Sequence, residues 1–475
     1  MDLNKIKHIH FTGIRGVGMT ALACLAVDFR MEVNGSDLEE KFVTEDALNK
    51  KGIPVYNGFS KGNIARSMPD LLVYGAAHGG EDNVEVQAAR ALKIPTLSQG
   101  EVLGLFYNTK KGISVAGVGG KTTTTGMLAT ILGDAGKHPS YMVGAGKISS
   151  LVFPGKYDRK GEWFISEADE YVCSPQNKRP KFYYQQPKIV ILPSLAYDHP
   201  DIYQNAKETL RIFKAFVEKI PPDGVLVANV ESPMVRQLLD QIKIKGRIIT
   251  YGENRGDGRV KKYQANKEKI KFQIVCRNHI RPFILSIPGK INVLNATAAI
   301  LTAEFLGLTD VEIQSGLLEF TGVSRRFEKI YEEDGSVLYD DYAHHPEEIK
   351  ATLKIAKEWL LAKRLIVIFQ PHTYSRTKAL LNDFAQSFQD ADKVIITEIF
   401  ASAREKETLG INGQLLADKV KENHSQVEFC ATLGDTITHL RKENLDKTAI
   451  LTLGAGDIFL WHEKLIDLIK QKEKR

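Results

Sequence analysis

Cysteine is scarce in this chain: Cys24, Cys173, Cys276 and Cys430 lie far apart and form no C-x-x-C pair. That spacing excludes a disulfide framework and a cysteine-built zinc module, and it suits a reducing cytoplasm. Long apolar runs are missing too, so no membrane span is expected. Met1 to Phe11 alternates charged and apolar residues and lacks the apolar core of a signal peptide. Neither sign of charge dominates, since 64 Lys and Arg against 58 Asp and Glu leave +6 over 475 residues. The basic residues are dispersed, so a nucleic-acid partner is not expected. Short-period repeats and low-complexity tracts are absent, and only the Lys/Glu-rich stretch Lys470 to Arg475 reads as frayed.

What is present is ordinary globular composition, 43% apolar and 26% charged. The length predicts about three domains. The organising stretch is Gly117-Val118-Gly119-Gly120-Lys121-Thr122-Thr123-Thr124-Thr125, behind an apolar strand Ile113 to Ala116 and ahead of a helix Gly126 to Leu132. A glycine-rich turn between strand and helix exposes backbone N–H groups and the positive end of the helix dipole, a seat for phosphate. Lys121 adds a point charge for the terminal phosphates, and a hydroxyl from Thr122 or Thr123 can complete a Mg²⁺ shell. The standard G-x-x-x-x-G-K-[ST] spacing would require glycine at Val115, so the loop is a variant. It predicts a nucleoside triphosphate site.

Before it, strand His8 to Thr12 runs into Gly13-Ile14-Arg15-Gly16-Val17-Gly18-Met19, then helix Thr20 to Phe29 and strand Glu32 to Asp37. This is a βαβ opening with an acidic residue, Asp37, about 20 positions on, as in dinucleotide-binding folds. Arg15 stands where a second glycine would let the backbone approach a diphosphate, and it would either crowd that group or contact it. The α/β alternation continues to a polar break at Asn108 to Gly112. After the phosphate loop, strand Trp163 to Ser166 leads into Glu167-Ala168-Asp169-Glu170, and strand Ile189 to Leu192 precedes Tyr197-Asp198-His199. Groups following parallel strands face the ligand crevice, so Glu167 and His199 are candidate metal ligands. Lys262 to Pro288 reads as a β-rich insertion, and a helix opening near Gly289 carries Asn292 and Asn295 on one face. They are either a helix cap or a pair suited to an adenine edge.

The last third restarts the alternation beyond a hinge at Thr321 to Phe327, where Arg325 and Arg326 are available to polyphosphate. Polar clusters follow three strands: Asp340 to Pro346, Gln370 to Thr377, and Gly454 to Asp457. Adjacent His344 and His345 do not predict a metal, because neighbours in an extended loop point apart. The expected fold is α/β in three domains, 1–108, 109–322 and 323–475. The first and last would be Rossmann-like, and the middle a P-loop ATPase-type domain. A nicotinamide oxidoreductase built on the Gly13 loop leaves Gly120-Lys121-Thr122 unexplained, and a non-catalytic nucleotide-gated protein is the other rival class.

Taken together, Gly13 to Met19, Gly120 to Thr124, Glu167 to Glu170, Asp198-His199, Asn292 with Asn295, Arg325-Arg326-Phe327, Asp341 to Pro346 and Gln370 to His372 resemble the Mur ligase family along essentially the whole chain. The resemblance implies an ATP- and Mg²⁺-dependent amide ligase of peptidoglycan precursor synthesis. Such an enzyme is cytoplasmic and is a monomer or weak homodimer without membrane insertion. It would join L-alanine to UDP-N-acetylmuramate through an acyl phosphate. It implies Gly13, Arg15, Gly16, Val17, Gly18, Met19 and Asp37 on the UDP substrate, and Gly117, Gly119, Gly120, Lys121, Thr122, Thr123, Asn292, Asn295, Arg326 and Asp341 on ATP. Thr122, Glu167 and His199 would surround Mg²⁺, while Tyr342, His344, His372 and Arg376 would line the amino-acid pocket. Lys121, His344 (as amine base) and Arg376 would be catalytic. Five places depart from the family pattern: Gly119 replaces a usual histidine, Arg15 a glycine, Gln99 an arginine, Ile291 a histidine, and Pro193-Ser194-Leu195-Ala196 the usual Asn and Glu. Glu167 to Tyr171 with Lys178 to Phe182 is similar instead to family members that attach a ready-made tripeptide, L-alanyl-γ-D-glutamyl-diaminopimelate.

Overall fold

Three sheets carry the chain in the computed structural model, which describes all residues except 198–201, 267–268, 277–278, 361–362, 402–404, 406 and 473–475. The first is formed by β1 (His8–Thr12), β2 (Glu32–Asp37), β3 (Val55–Asn57), β4 (Leu71–Tyr74) and β5 (Thr96–Ser98). All pairings are parallel, in the order β3-β2-β1-β4-β5. The strand order reverses between β1 and β4, so their C-terminal ends open the crevice where such sheets bind ligands. One face of β1 buries Ile9 and Phe11 in the apolar core. The other face buries His10 and Thr12, which is tolerable because both reach Glu85. The Thr12 hydroxyl donates to Glu85 over 2.8 Å, His10 Nε2 lies 3.3 Å from the same carboxylate, and His10 Nδ1 lies 2.7 Å from Asn34 Oδ1.

The second sheet has ten strands: β6 (Lys111–Ala116), β7 (Ser140–Met142), β8 (Gly155–Lys156), β9 (Trp163–Ala168), β10 (Pro187–Leu192), β11 (Val225–Asn229), β12 (Arg247–Gly252), β13 (Gly258–Ala265), β14 (Ile270–Cys276) and β15 (His279–Leu285). Their order is β15-β14-β13-β12-β11-β10-β6-β9-β7-β8. Buried β6 therefore lies between β9 and β10, in parallel with both. The chain leaving its C-terminal end is flanked by the chain leaving its two neighbours. The expected β-rich insertion is this sheet's far edge, where Pro282 in β15 and the Gln314 amide, bonded to both Ile284 N–H and C=O, blunt the open strand.

The third sheet comprises β16 (Glu328–Glu333), β17 (Ser336–Asp341), β18 (Arg364–Phe369), β19 (Lys393–Ile396), β20 (Val427–Phe429) and β21 (Thr448–Leu453). The order is β16-β17-β21-β18-β19-β20, with only β16 antiparallel. Insertion of β21 between β17 and β18 aligns the ends of all three, and hence the three polar clusters read from sequence.

Residues 1–264 with 269–323 form one compact unit, and 265–268 with 324–475 a second. The polar break at 108 lies inside the first unit, whose two sheets are bound to each other. Tyr157 N–H donates to Asp28 over 3.2 Å, and the Tyr157 ring meets Phe29 edge-on at 5.0 Å. The helix after the phosphate loop spans Lys121–Asp134. It begins five residues before the expected Gly126, because Gly120 already ends the turn.

Candidate active site

The phosphate loop closes on two glycines that need left-handed backbone, Gly117 at φ +123° and Gly120 at φ +85°. A Cβ on Gly120 would stand 2.5 Å from Asn295 Oδ1, so a side chain there is excluded and Asn295 is brought against the loop. Asn295 Nδ2 donates to Asn292 Oδ1 over 3.2 Å, and Asn292 Nδ2 to Pro288 O over 2.6 Å, so the two amides form a chain. The helix start has no side-chain cap, leaving its first-turn N–H groups directed outward as an anion seat. Lys121 Nζ donates to Gly117 O over 2.5 Å and to both Glu170 oxygens over 2.7 and 3.0 Å. Burial opposes the ammonium charge, but Glu170 and then Asp169 outweigh it and hold the pKa above its ordinary value.

Glu167 is the penultimate residue of β9, one strand over, and lies in the strand itself. Its carboxylate accepts from the Thr122 hydroxyl over 3.0 Å and from Gly144 N–H over 2.6 Å, and burial raises its pKa. A hydroxyl and a carboxylate so placed are hard oxygen donors, a set that fits Mg²⁺. Asp198 and His199 lie outside the described residues. Among the described residues no cluster of three His, Cys, Asp or Glu side chains forms a metal site.

In the first sheet's crevice Arg15 is engaged by the protein itself. Its guanidinium turns back to Leu38 O at 2.5 Å, Asn57 Oδ1 at 3.3 Å and Glu45 at 3.6 Å. Asp37 is 1% exposed, and its carboxylate accepts Arg15 N–H over 2.7 Å and Leu38 N–H over 2.8 Å. These two residues shape the loop rather than project from it. The helix Val17–Asp28 starts at Gly16 without a side-chain cap. The Gln99 amide fills the space beside Gly18, and a Cβ on Gly13 would stand 3.2 Å from the His78 ring. His78 was not singled out on sequence. It has φ +54°, lies 3.6 Å from Asp37 Oδ1 and meets Phe59 at 4.9 Å. Its signal was positional: it closely follows β4, the strand beside β1 at the reversal point.

In the second unit the adjacent arginines part company. Arg325, expected to serve polyphosphate, is buried, and its guanidinium goes to Asp340 at 3.1 Å, Gly456 O at 3.1 Å and Gly454 O. That correction follows from Asp340, a fully buried carboxylate at the end of β17 that needs a cation. Arg326 is exposed, 5.3 Å from the Tyr342 ring centre. Asp341 accepts from Phe327 N–H over 2.7 Å and Ala343 N–H over 2.8 Å, and burial, opposed by Arg326, pushes its pKa up to about 6. Tyr342, His344, His372 and Arg376 do converge. The rings of Tyr342 and His344 are 5.2 Å apart, those of His344 and His372 6.0 Å, and Arg376 Nη1 lies 3.4 Å from His372 Nδ1. Burial lowers the pKa of both histidines, His372 to about 4. His344 Nδ1 donates to Tyr342 O over 2.9 Å, which leaves Nε2 as the acceptor of a neutral ring. His345 instead caps the helix Pro346–Trp359. Phe400, also not foreseen, stacks on His372 at 5.8 Å and 13°.

An α/β protein with a Lys-bearing phosphate loop, hard donors beside it and a separate neutral-histidine pocket defines a class: nucleotide-dependent transferases and ligases. The chain belongs to the Mur ligase family. It matches the profiles "Mur ligase family, catalytic domain" over 8–111, "Mur ligase middle domain" over 115–303 and "Mur ligase, glutamate ligase domain" over 325–456. The UDP-N-acetylmuramate–L-alanine ligase of Desulfitobacterium hafniense is 37% identical over 97% of this chain and 99% of its own. That of a Sulfurihydrogenibium species is 35% identical over 100% of both. The crystal structure of the UDP-N-acetylmuramate–alanine ligase of Thermotoga maritima superposes with a TM-score of 0.82, at 28% identity, over 98% of this chain and 99% of that one. A murein peptide ligase from Psychrobacter arcticus shares the fold at a TM-score of 0.71 and 24% identity, over 97% and 98%.

Proposed function

We propose that the protein is an ATP-dependent ligase that joins L-alanine to UDP-N-acetylmuramate, in the cytoplasmic synthesis of peptidoglycan precursors. The observation that carries this reading is the convergence of Lys121, Thr122 and Glu167 on the seat after β6, in a chain 35–37% identical along its length to ligases of that name. No described helix is long and apolar enough to cross a membrane.

The lactyl carboxylate of UDP-N-acetylmuramate attacks the γ-phosphorus of ATP, giving an acyl phosphate and ADP; the amine of L-alanine then attacks the acyl carbon and phosphate leaves. The first step brings two anions together. At ~4 Å two unit charges repel by about 4 kcal/mol at an effective dielectric near 20. Lys121 and the N–H groups at the helix start oppose that repulsion and stabilise the transferring phosphoryl group. Gly117, Gly119, Gly120 and Thr123 complete the loop, Asn292 and Asn295 serve the adenine side, and Arg326 and Asp341 are further candidate nucleotide contacts. When Mg²⁺ is bound, it neutralises phosphate charge; Thr122, Glu167 and His199 would hold it. Residues 1–108 take the UDP substrate at the Gly13–Met19 loop, which Arg15 and Asp37 shape. In residues 323–475, Arg376 and His372 receive the alanine carboxylate beside Tyr342, and His344 Nε2 takes the ammonium proton. Phosphate release from ATP should therefore require both UDP-N-acetylmuramate and an amine. Release unaffected by omitting UDP-N-acetylmuramate contradicts the reading.

Glu167→Gln leaves a neutral amide, a poorer ligand for a hard cation. The Mg²⁺ concentration giving half-maximal phosphate release should rise at least tenfold, while saturating Mg²⁺ restores much of the rate. An unchanged magnesium titration removes Glu167 from the metal shell.

A further inference from the structure

Two departures noted on sequence, Gly119 and Ser194, meet in space. Ser194 Oγ accepts from Gly119 N–H over 2.8 Å and donates to Gly119 C=O over 3.0 Å, so one hydroxyl engages both backbone groups of a loop residue. The Ser194 carbonyl accepts Val118 N–H over 3.3 Å and occupies the space a Cβ on Gly117 would need. Three consecutive loop residues are thus fixed by one serine, in the chain leaving β10.

That serine is itself anchored. Asn229, at the end of β11, donates to Pro193 O over 2.8 Å. The Ser232 hydroxyl accepts from Leu195 N–H over 3.2 Å and donates to Leu195 C=O over 3.1 Å, repeating the pattern one strand further out. The hydrogen bonds run from β11 to the end of β10 and from there to the loop after β6.

We propose that Ser194 is a positioning residue for the nucleotide phosphates. It turns the N–H groups of Val118 and Gly119 away from the ligand and confines the anion seat to Gly120 and the first turn of the helix, beside Lys121. Because two of the loop's N–H donors are already satisfied by protein, the loop is held in its binding shape before the nucleotide arrives. The inference rests on the nucleotide reading of this loop.

The test measures equilibrium binding of ATP with Mg²⁺, and separately of UDP-N-acetylmuramate, in the full-length protein. Ser194→Ala should weaken ATP at least fivefold and leave UDP-N-acetylmuramate within twofold, with KM for ATP rising by more than kcat falls. Ser194→Thr keeps the hydroxyl and should restore ATP binding to within twofold. Gly119→Ala alone places its Cβ 3.2 Å from Ser194 Oγ and should also weaken ATP; combined with Ser194→Ala it should add little, since both act on one contact. Unchanged ATP binding in Ser194→Ala, equal loss for both ligands, or fully additive effects would overturn the proposal. Absence of ATP binding by the unaltered protein would instead remove the reading beneath it.

Discussion

Lys121→Ala should lower turnover by at least ~100-fold, the scale on which loss of one preorganised donor to a developing charge is felt. The Lys121 side chain is 15% exposed and its ammonium is held at Gly117 O and Glu170, so it is positioned before substrate binds and gives up little freedom at the moment of reaction. Its charge is secure at neutral pH, since Glu170 keeps its pKa raised. The substitution also takes the cation from Glu170, a carboxylate 4% exposed, so thermal stability should fall as well. Lys121→Ala with Glu170→Gln removes both charges and separates the two effects: stability should recover, and turnover should not. Circular dichroism and phosphate release read the two quantities independently. Near-normal phosphate release in either folded variant would move the site elsewhere.

Arg376→Ala should raise the KM for L-alanine at least tenfold and leave the KM for ATP within twofold. A free amino acid carries its carboxylate one carbon from the attacking amine, and that charge needs a partner once water is excluded. A lost charged hydrogen bond costs about 1.5–3 kcal/mol, hence the size of the effect. A second consequence follows from the electrostatics. Arg376 is one of the charges that, after burial, lower the pKa of His344 and of His372. Removing a nearby cation favours the protonated rings, so both pKa values should rise. The acid limb of the kcat/KM profile should then move to higher pH. A KM change shared by alanine and ATP would argue for a general distortion, and an unmoved acid limb would separate Arg376 from the base.

Much of this site was legible in the sequence because it is local. The Gly117–Lys121 turn, the βαβ opening and the polar clusters after β17, β18 and β21 are each written within one stretch, and parallel topology places them at strand ends. What escaped depends on partners distant in the chain. Nothing in Arg325-Arg326 says which arginine faces inward; the choice is made by Asp340, Gly454 and Gly456. Arg15 was legible as an anomaly, but its direction is set by Leu38, Glu45 and Asn57. Ser194 read as a gap in a motif and proves to be bonded across 75 residues to the phosphate loop. The helix start is read late because four consecutive threonines precede Met127, the first residue of the apolar spacing that marks the helix. In the fold Thr124 and Thr125 are fully buried there.

The central claim is that the amine is free L-alanine, and its most direct test is phosphate release from ATP with UDP-N-acetylmuramate and a panel of amines. L-alanine should support rapid release. Glycine should be weaker by about 10–200-fold at most, the range of one methyl in a small pocket. L-alanyl-γ-D-glutamyl-diaminopimelate should be poor, because its α-carboxylate position is a neutral amide that offers Arg376 no charge. Strong release with the tripeptide and negligible release with L-alanine would contradict the account and make the protein a tripeptide-attaching ligase.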